Sequence, residues 1–263
     1  MKTKSKIILI GLLRTMILLV AAPAVFGTQL SETTIWTRLE GGAEKLTTPY
    51  DVTVDKNGNS YMVGDTNIKD TRNYNAFVSK YAANGTKLWT RQLGDDLNET
   101  TASGVVIDST GNCYVTGFTD SDLDGIKLIG RMDTFIVKYK PDGTKEWLKL
   151  VGVPNFSTMV KDIAIDKANN IYITGNTDGK LNNQVLKGDT DLFIAKYNSA
   201  GVHQWTRLLG AKKSTIAGEQ ITVDNKSSNI YVAGYTTSSI DGQNIAIFID
   251  GLVVKYDSGG NKK

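Results

Sequence analysis

Short apolar runs, each closed by a turn, follow one another along most of the chain, and no stretch keeps a helical period, so strands are expected throughout. The clearest stretch runs from Asp133 to Gly152, DTFIVKYKPDGTKEWLKLVG: an apolar run ending in Lys138-Tyr139, a Pro-Asp-Gly turn, and a second run built on Trp147. The same pattern occurs as AFVSKYAANGTKLWTRQLG from Ala76 and LFIAKYNSAGVHQWTRLLG from Leu192, with Lys80, Lys138 and Lys196 spaced 58 residues apart. A fourth copy, GLVVKYDSGGNKK, carries Lys255-Tyr256.

Each period holds four runs of strand length. In the second period these are Gly104–Asp108, Cys113–Gly117, Phe135–Tyr139 and Lys145–Leu150. The first two are joined by Asp108-Ser109-Thr110-Gly111-Asn112, and the equivalents are Asp55 to Asn59 and Asp166 to Asn170. Asn-Gly, Gly-Asn and Asn-Asn steps supply the positive φ that tight hairpins demand. Four strands per repeat predict an all-β fold, a β-propeller of about four four-stranded blades. The fourth repeat (Gln220–Asp224, Ile230–Gly234, Leu252–Tyr256) lacks a Trp strand, and Thr34–Leu39, TIWTRL, resembles one. Closure of the last blade by that N-terminal strand would remove two exposed edges; the alternative is an open arc of a larger ring.

Self-comparison separates scaffold from what is private to one blade. Trp36, Trp89, Trp147 and Trp205 are equivalent, as are Tyr61, Tyr114, Tyr172 and Tyr231, and Gly64, Gly117, Gly175 and Gly234. Residues required by every blade are expected to serve packing between blades. The recurrent Lys80, Lys138, Lys196 and Lys255 are expected at a strand edge or on a solvated face, and Asp55, Asp108, Asp166 and Asp224 in turn hydrogen bonding. The connections at 41–49, 94–102, 152–159 and 210–218 differ in every copy and are expected to form a ligand-binding loop face. Phe156 and Met159 are the contact candidates there.

The N-terminus is a different kind of sequence. Lys2, Lys4 and Lys6 precede an apolar run, Ile7 to Phe26, that ends in small residues, so residues 1–27 are expected to be a signal peptide cleaved after Ala24 or Gly27. An uncleaved membrane anchor is the alternative. The remainder, 28–263, is the propeller domain, expected outside the cytoplasm: secreted, periplasmic or at the cell surface. The formal charge is +3, but removing the four basic residues of the leader leaves 26 basic against 27 acidic side chains. A near-neutral surface gives no support for nucleic-acid binding.

Candidate chemistry is sparse. Cys113 is the single cysteine, which removes intrachain disulfides and Cys-based metal sites; His203, the single histidine, stands where other repeats have Lys87 and Lys145, and that solvated place on the Trp strand argues against Ser-His-Asp catalysis. Asp120-Ser121-Asp122-Leu123-Asp124-Gly125 matches the first half of a calcium loop, but Arg131 stands where the bidentate Glu belongs. Calcium at Asp120, Asp122 and Asp124 is the one cofactor candidate, and a turn is the favoured reading.

FIVKYKPDGTKEWLKLVG followed by DKANNIYITGNTDG resembles the bacterial β-propeller repeat family SBBP, found in secreted and surface proteins. The resemblance covers about Thr34 to Lys263. The family name implies seven blades, against sequence here for four, and the family supplies no catalytic motif. The expected function is therefore that of an exported, non-catalytic scaffold binding a protein or glycan. The alternatives are a polysaccharide-active enzyme using carboxylates on the loop face, and a fragment that forms a larger propeller as an oligomer through open sheet edges.

Overall fold

Each repeat folds into one antiparallel sheet in which strands follow in sequence order. A computed structural model describes residues 35–42, 45–68, 71 and 73–263. The expected signal peptide, and Thr34 of the proposed closing strand, lie outside the described residues. Blade 1 comprises β1 (Lys45–Val54), β2 (Ser60–Ile68), β3 (Tyr74–Tyr81) and β4 (Lys87–Leu93); blade 2 comprises β5 (Thr100–Ile107), β6 (Cys113–Thr119), β7 (Asp133–Tyr139) and β8 (Lys145–Val151). Blade 3 has β9 (Thr158–Ile165), β10 (Ile171–Thr177), β11 (Asp191–Tyr197) and β12 (His203–Leu209), and blade 4 has β13 (Ile216–Asp224), β14 (Asn229–Thr236) and β15 (Asp250–Tyr256).

The recurrent turn explains the recurrent Asp and Tyr together. Asp108 Oδ1 accepts the backbone N–H groups of Thr110 and Asn112, both at 2.9 Å, and its Oδ2 accepts the Tyr114 hydroxyl at 3.2 Å. Tyr61 and Tyr172 reach Asp55 and Asp166 in the same way, at 3.2 and 2.9 Å. A buried phenol thus finds its acceptor without leaving the blade.

The first strand of each blade begins earlier than its apolar run. β5 starts at Thr100 rather than Gly104 because a bulge between Ala102 and Gly104 shifts the alternation by one residue. The bulge also dictates the glycine of Tyr-x-x-Gly. A Cβ on Gly117 would lie 2.0 Å from Thr101 O, and one on Gly175 2.1 Å from Met159 O.

The core lies between blades. Three apolar clusters join blades 1 and 2, blades 2 and 3, and blades 3 and 4. Two of these interfaces are fastened by hydrogen bonds from the Trp strand. Trp89 Nε1–H donates to Pro141 O in the next blade's turn at 3.1 Å, while Arg91 stacks over the indole, 5.6 Å from its centroid, and donates from Nε to Gly143 O at 2.7 Å. Trp205 and Arg207 repeat this toward Ser258 O and Gly260 O, at 3.2 and 2.9 Å. Two of the four recurrent lysines are not on a solvated face, while Lys196 and Lys255 are half-buried. Lys80 and Lys138 are buried, with ammonium groups 5.0 and 5.4 Å from the centroids of Tyr61 and Tyr114. Lys80 meets the desolvation cost by donating to Pro141 O at 3.0 Å, and Lys138 by pairing with Glu146.

Of the two readings of the chain ends, the structure takes the open one. Blade 4 has three strands, and the outer edge of β15 has no partner strand among the described residues. The expected closing segment does not pair there. Trp36 and Arg38 instead bond Ala83 O and Gly85 O of blade 1 at 2.9 and 2.8 Å, and Trp36 stacks on Tyr81.

Candidate functional site

The bulged first strands sit side by side, β1 against β5, β5 against β9 and β9 against β13. Two of them are tied to the next by a carboxylate. Asp51 accepts Val105 N–H at 2.8 Å, and Asp162 accepts Ile221 N–H at 2.7 Å, each also holding the N–H of its own next residue. Burial pushes the carboxyl of Asp162 up to about 6, the two N–H donors pull against it, and the charge of Asp51 adds to the rise. Asp51 is likewise raised by burial. At the equivalent place in blade 2 stands Gly104, where a Cβ would lie 2.9 Å from Ile163 Cγ2.

One residue before this position, all four blades contribute to one cavity of about 530 Å³. Tyr50, Ser103, Lys161 and Glu219 each stand five residues before the turn Asp of their repeat, and all four line it. Asp65 and Glu99 add two more carboxylates, and Tyr74 and Phe118 two more aromatic rings. Asp65 is raised by burial, against hydrogen bonds from Tyr50 and from Thr101, the latter at 3.3 Å. Glu99 is raised by burial and by the charges of Asp120 and Asp65. The Tyr50 hydroxyl is pushed up to about 12 by burial and by its bond to Asp65. Three acids against one lysine make the cavity electronegative, suited to ligands rich in hydrogen-bond donors.

The residues singled out from sequence lie elsewhere. Met159 is not in a loop: it sits in β9, opposite Asn176. Phe156 is exposed, and its main chain is held by Val153 and Arg131 outside the cavity. The calcium candidates are not brought together. Asp120 accepts Glu99 N–H at 2.8 Å, Asp122 pairs with Lys127, and Asp124 pairs with Lys145. No group of three metal-ligating side chains occurs among the described residues. His203 contacts Thr206 and Asn182, its pKa lowered by burial. Three of the four tryptophans pair with recurrent tyrosines as packing elements, Trp89 with Tyr61, Trp147 with Tyr114 and Trp205 with Tyr172, at centroid separations of 6.0 to 6.2 Å.

The cavity position had a sequence signal of its own. Counted back from the recurrent Asp, it is a mid-strand site that carries Tyr, Ser, Lys and Glu in turn. Comparing repeats for what they share passes over it, whereas comparing them for where a strand varies finds it.

Comparison with known proteins gives two matches. The SBBP family, described as a beta-propeller repeat, matches residues 35–70, 88–124, 146–182 and 204–247. Each match opens one residue before a Trp and runs through the first two strands of the following blade, so the sequence repeat straddles the interface between blades. An uncharacterized WD repeat-containing protein, L264 of Acanthamoeba polyphaga mimivirus, is 29% identical over 187 residues, which is 56% of this chain and 13% of that protein.

Proposed function

The chain belongs to the SBBP beta-propeller repeat family, and on that premise we propose that it is an exported, non-catalytic scaffold that binds a saccharide ligand in its axial cavity, at the cell surface or in the periplasm. The observation that carries this reading is the one cavity position occupied by a different side chain in each blade: Tyr50, Ser103, Lys161 and Glu219. Residues that keep blades together recur; residues that face a ligand are free to differ. Sugar hydroxyls would donate to Asp65, Glu99 and Glu219, and the exposed ring of Tyr50 offers an apolar face for a pyranose. The basic and apolar leader, residues 1–27, supports export. Among the described residues no helix is long and apolar enough to cross a membrane.

Calorimetric titration with a panel of neutral oligosaccharides tests the binding. Tyr50→Ala is expected to weaken the best ligand about tenfold, the worth of one aromatic contact of about 1.4 kcal/mol, and Phe156→Ala is expected to leave it unchanged. Equal effects, or no binding by the panel, would sink the assignment. N-terminal sequencing of the exported protein tests cleavage after Ala24 or Gly27.

A second reading follows from the two raised carboxyls in the same cavity. Asp65 and Glu99 both line it, the charge of Asp65 raising Glu99, and are the candidates for the carboxylate pair of glycoside hydrolysis. Release of reducing ends by the native chain, and its loss in Glu99→Gln with binding retained, would establish that reading over the first.

A further inference from the structure

The interface between blades 2 and 3 lacks the clasp that the interfaces on either side of it share. On β4, Arg91 donates from Nε to Gly143 O of the next blade and from Nη1 to Thr90 O beside it at 2.9 Å. On β12, Arg207 does the same to Gly260 O and, at 2.8 Å, to Thr206 O. Lys149 stands in their place on β8. Among the described residues it makes neither bond, so Leu148 O and Gly201 O have no guanidinium on them, and Trp147 Nε1 close by is buried without an acceptor.

A groove of about 590 Å³ opens at this place on the outer rim, lined by Lys149 and Val151 of β8, Ile126 and Ile129 of the β6–β7 connection, and Tyr197 and Val202 of blade 3. β8 is the last strand of its sheet, so its far edge carries backbone N–H and C=O groups with no partner strand among the described residues. On blade 3 the corresponding strand is approached by the 3₁₀ turn Leu181–Asn183, whose Asn182 donates to Thr206 Oγ1 at 2.8 Å. Leu148 takes the place of Thr206 in blade 2 and offers no such acceptor.

These features select the occupant. An apolar tail laid along β8 would bury strand-edge N–H and C=O groups without partners, whereas an extended peptide pairs with them. The groove lining holds the ammonium of Lys149 and no carboxylate. The neighbouring Lys138 and Lys145 are already paired with Glu146 and Asp124, which leaves Lys149 to meet an acidic side chain. Val151, two residues on and on the same face of the strand, calls for apolar side chains two positions from that acid. We propose that the outer edge of β8 docks an extended acidic peptide segment of a partner protein, which joins blade 2 as a fifth strand and sets a carboxylate against Lys149. The proposal is independent of the saccharide reading, since the groove and the axial cavity share no lining residue.

Fluorescence anisotropy of the full chain with a labelled, end-capped heptapeptide, Thr-Val-Thr-Glu-Thr-Val-Thr, tests it. This peptide is expected to bind, and its Glu→Lys counterpart about tenfold more weakly or worse. Lys149→Arg keeps the charge and restores the residue that engages the carbonyl in blades 1 and 3, a setting in which the fold already accepts arginine. It is expected to weaken binding about tenfold, and Val185→Ser, outside the groove, to leave it unchanged. The bound peptide is expected to slow hydrogen exchange over Lys145–Val151 and not over Lys87–Leu93. No binding, equal binding of the two peptides, undiminished binding to Lys149→Arg, or equal slowing of both strands would each overturn the proposal.

Discussion

Trp89 and Trp147 occupy the same place in successive repeats and differ in what the indole N–H meets. Trp89 Nε1–H donates to Pro141 O, whereas Trp147 Nε1 is buried without an acceptor, the matching carbonyl of Ser199 lying 3.4 Å from the Tyr114 hydroxyl instead. Replacing either indole by phenyl removes a similar apolar area, so that loss cancels between the two variants. What remains is a hydrogen bond lost at 89, worth about 0.5–1.5 kcal/mol, and an unsatisfied donor removed at 147, worth about 1–3 kcal/mol with the opposite sign. Pro141 O stays engaged by Lys80 Nζ, which places the first figure toward its lower end. Trp89→Phe is therefore expected to be less stable than Trp147→Phe by about 2–3 kcal/mol. Urea unfolding followed by circular dichroism measures both, a gap of about 1–1.5 M in midpoint for a slope near 2 kcal/mol/M. Equal midpoints would refute the claim that the Trp N–H fastens one blade to the next.

Asp162 predicts a pH dependence. Its folded value of about 6 lies above the ordinary 3.8, so the native state holds the proton more tightly. The stability this contributes is present below about pH 4 and lost as pH rises through 6. Asp162→Asn should lack this component, and its stability relative to the parent should rise by about 2–3 kcal/mol between pH 4 and pH 7.5; parallel pH profiles would count against it. Gly175→Ala sets a Cβ against Met159 O and is expected to cost about 3 kcal/mol or more, whereas Gly251→Ala, with open space around it, should fall within about 0.5 kcal/mol of the parent in thermal unfolding; similar costs would remove the bulge as the reason for the recurrent glycine.

Much of the fold was legible because the repeat writes the same physics several times. Apolar runs between Asn-Gly turns marked three strands of each blade closely, and Trp, Tyr and Gly kept their phase. The upstream halves of the first strands were hidden: the bulge reverses the alternation, so Thr100-Thr101-Ala102 reads as a polar connection. That error placed Met159 in a loop. Lys80 misled for a related reason, since its acceptor, Pro141 O, lies in the next blade's turn, 61 residues away. The cavity was missed because its residues share a position and not an identity. The carboxylates of Asp120, Asp122 and Asp124 are close in sequence, yet two are drawn off by Lys127 and Lys145 and the third by a backbone N–H.

The open arc is the claim on which the shared cavity rests, and hydrogen exchange at the lowest workable concentration tests it. Peptides covering β3, β7 and β11 report strands paired on both sides, and the peptide covering β15 reports their equivalent with one side free. Faster exchange over Asp250–Tyr256 than over Tyr74–Tyr81, Asp133–Tyr139 and Asp191–Tyr197 is the predicted result. Equal protection of all four in a monomer would mean that the chain closes on itself, and would contradict the account.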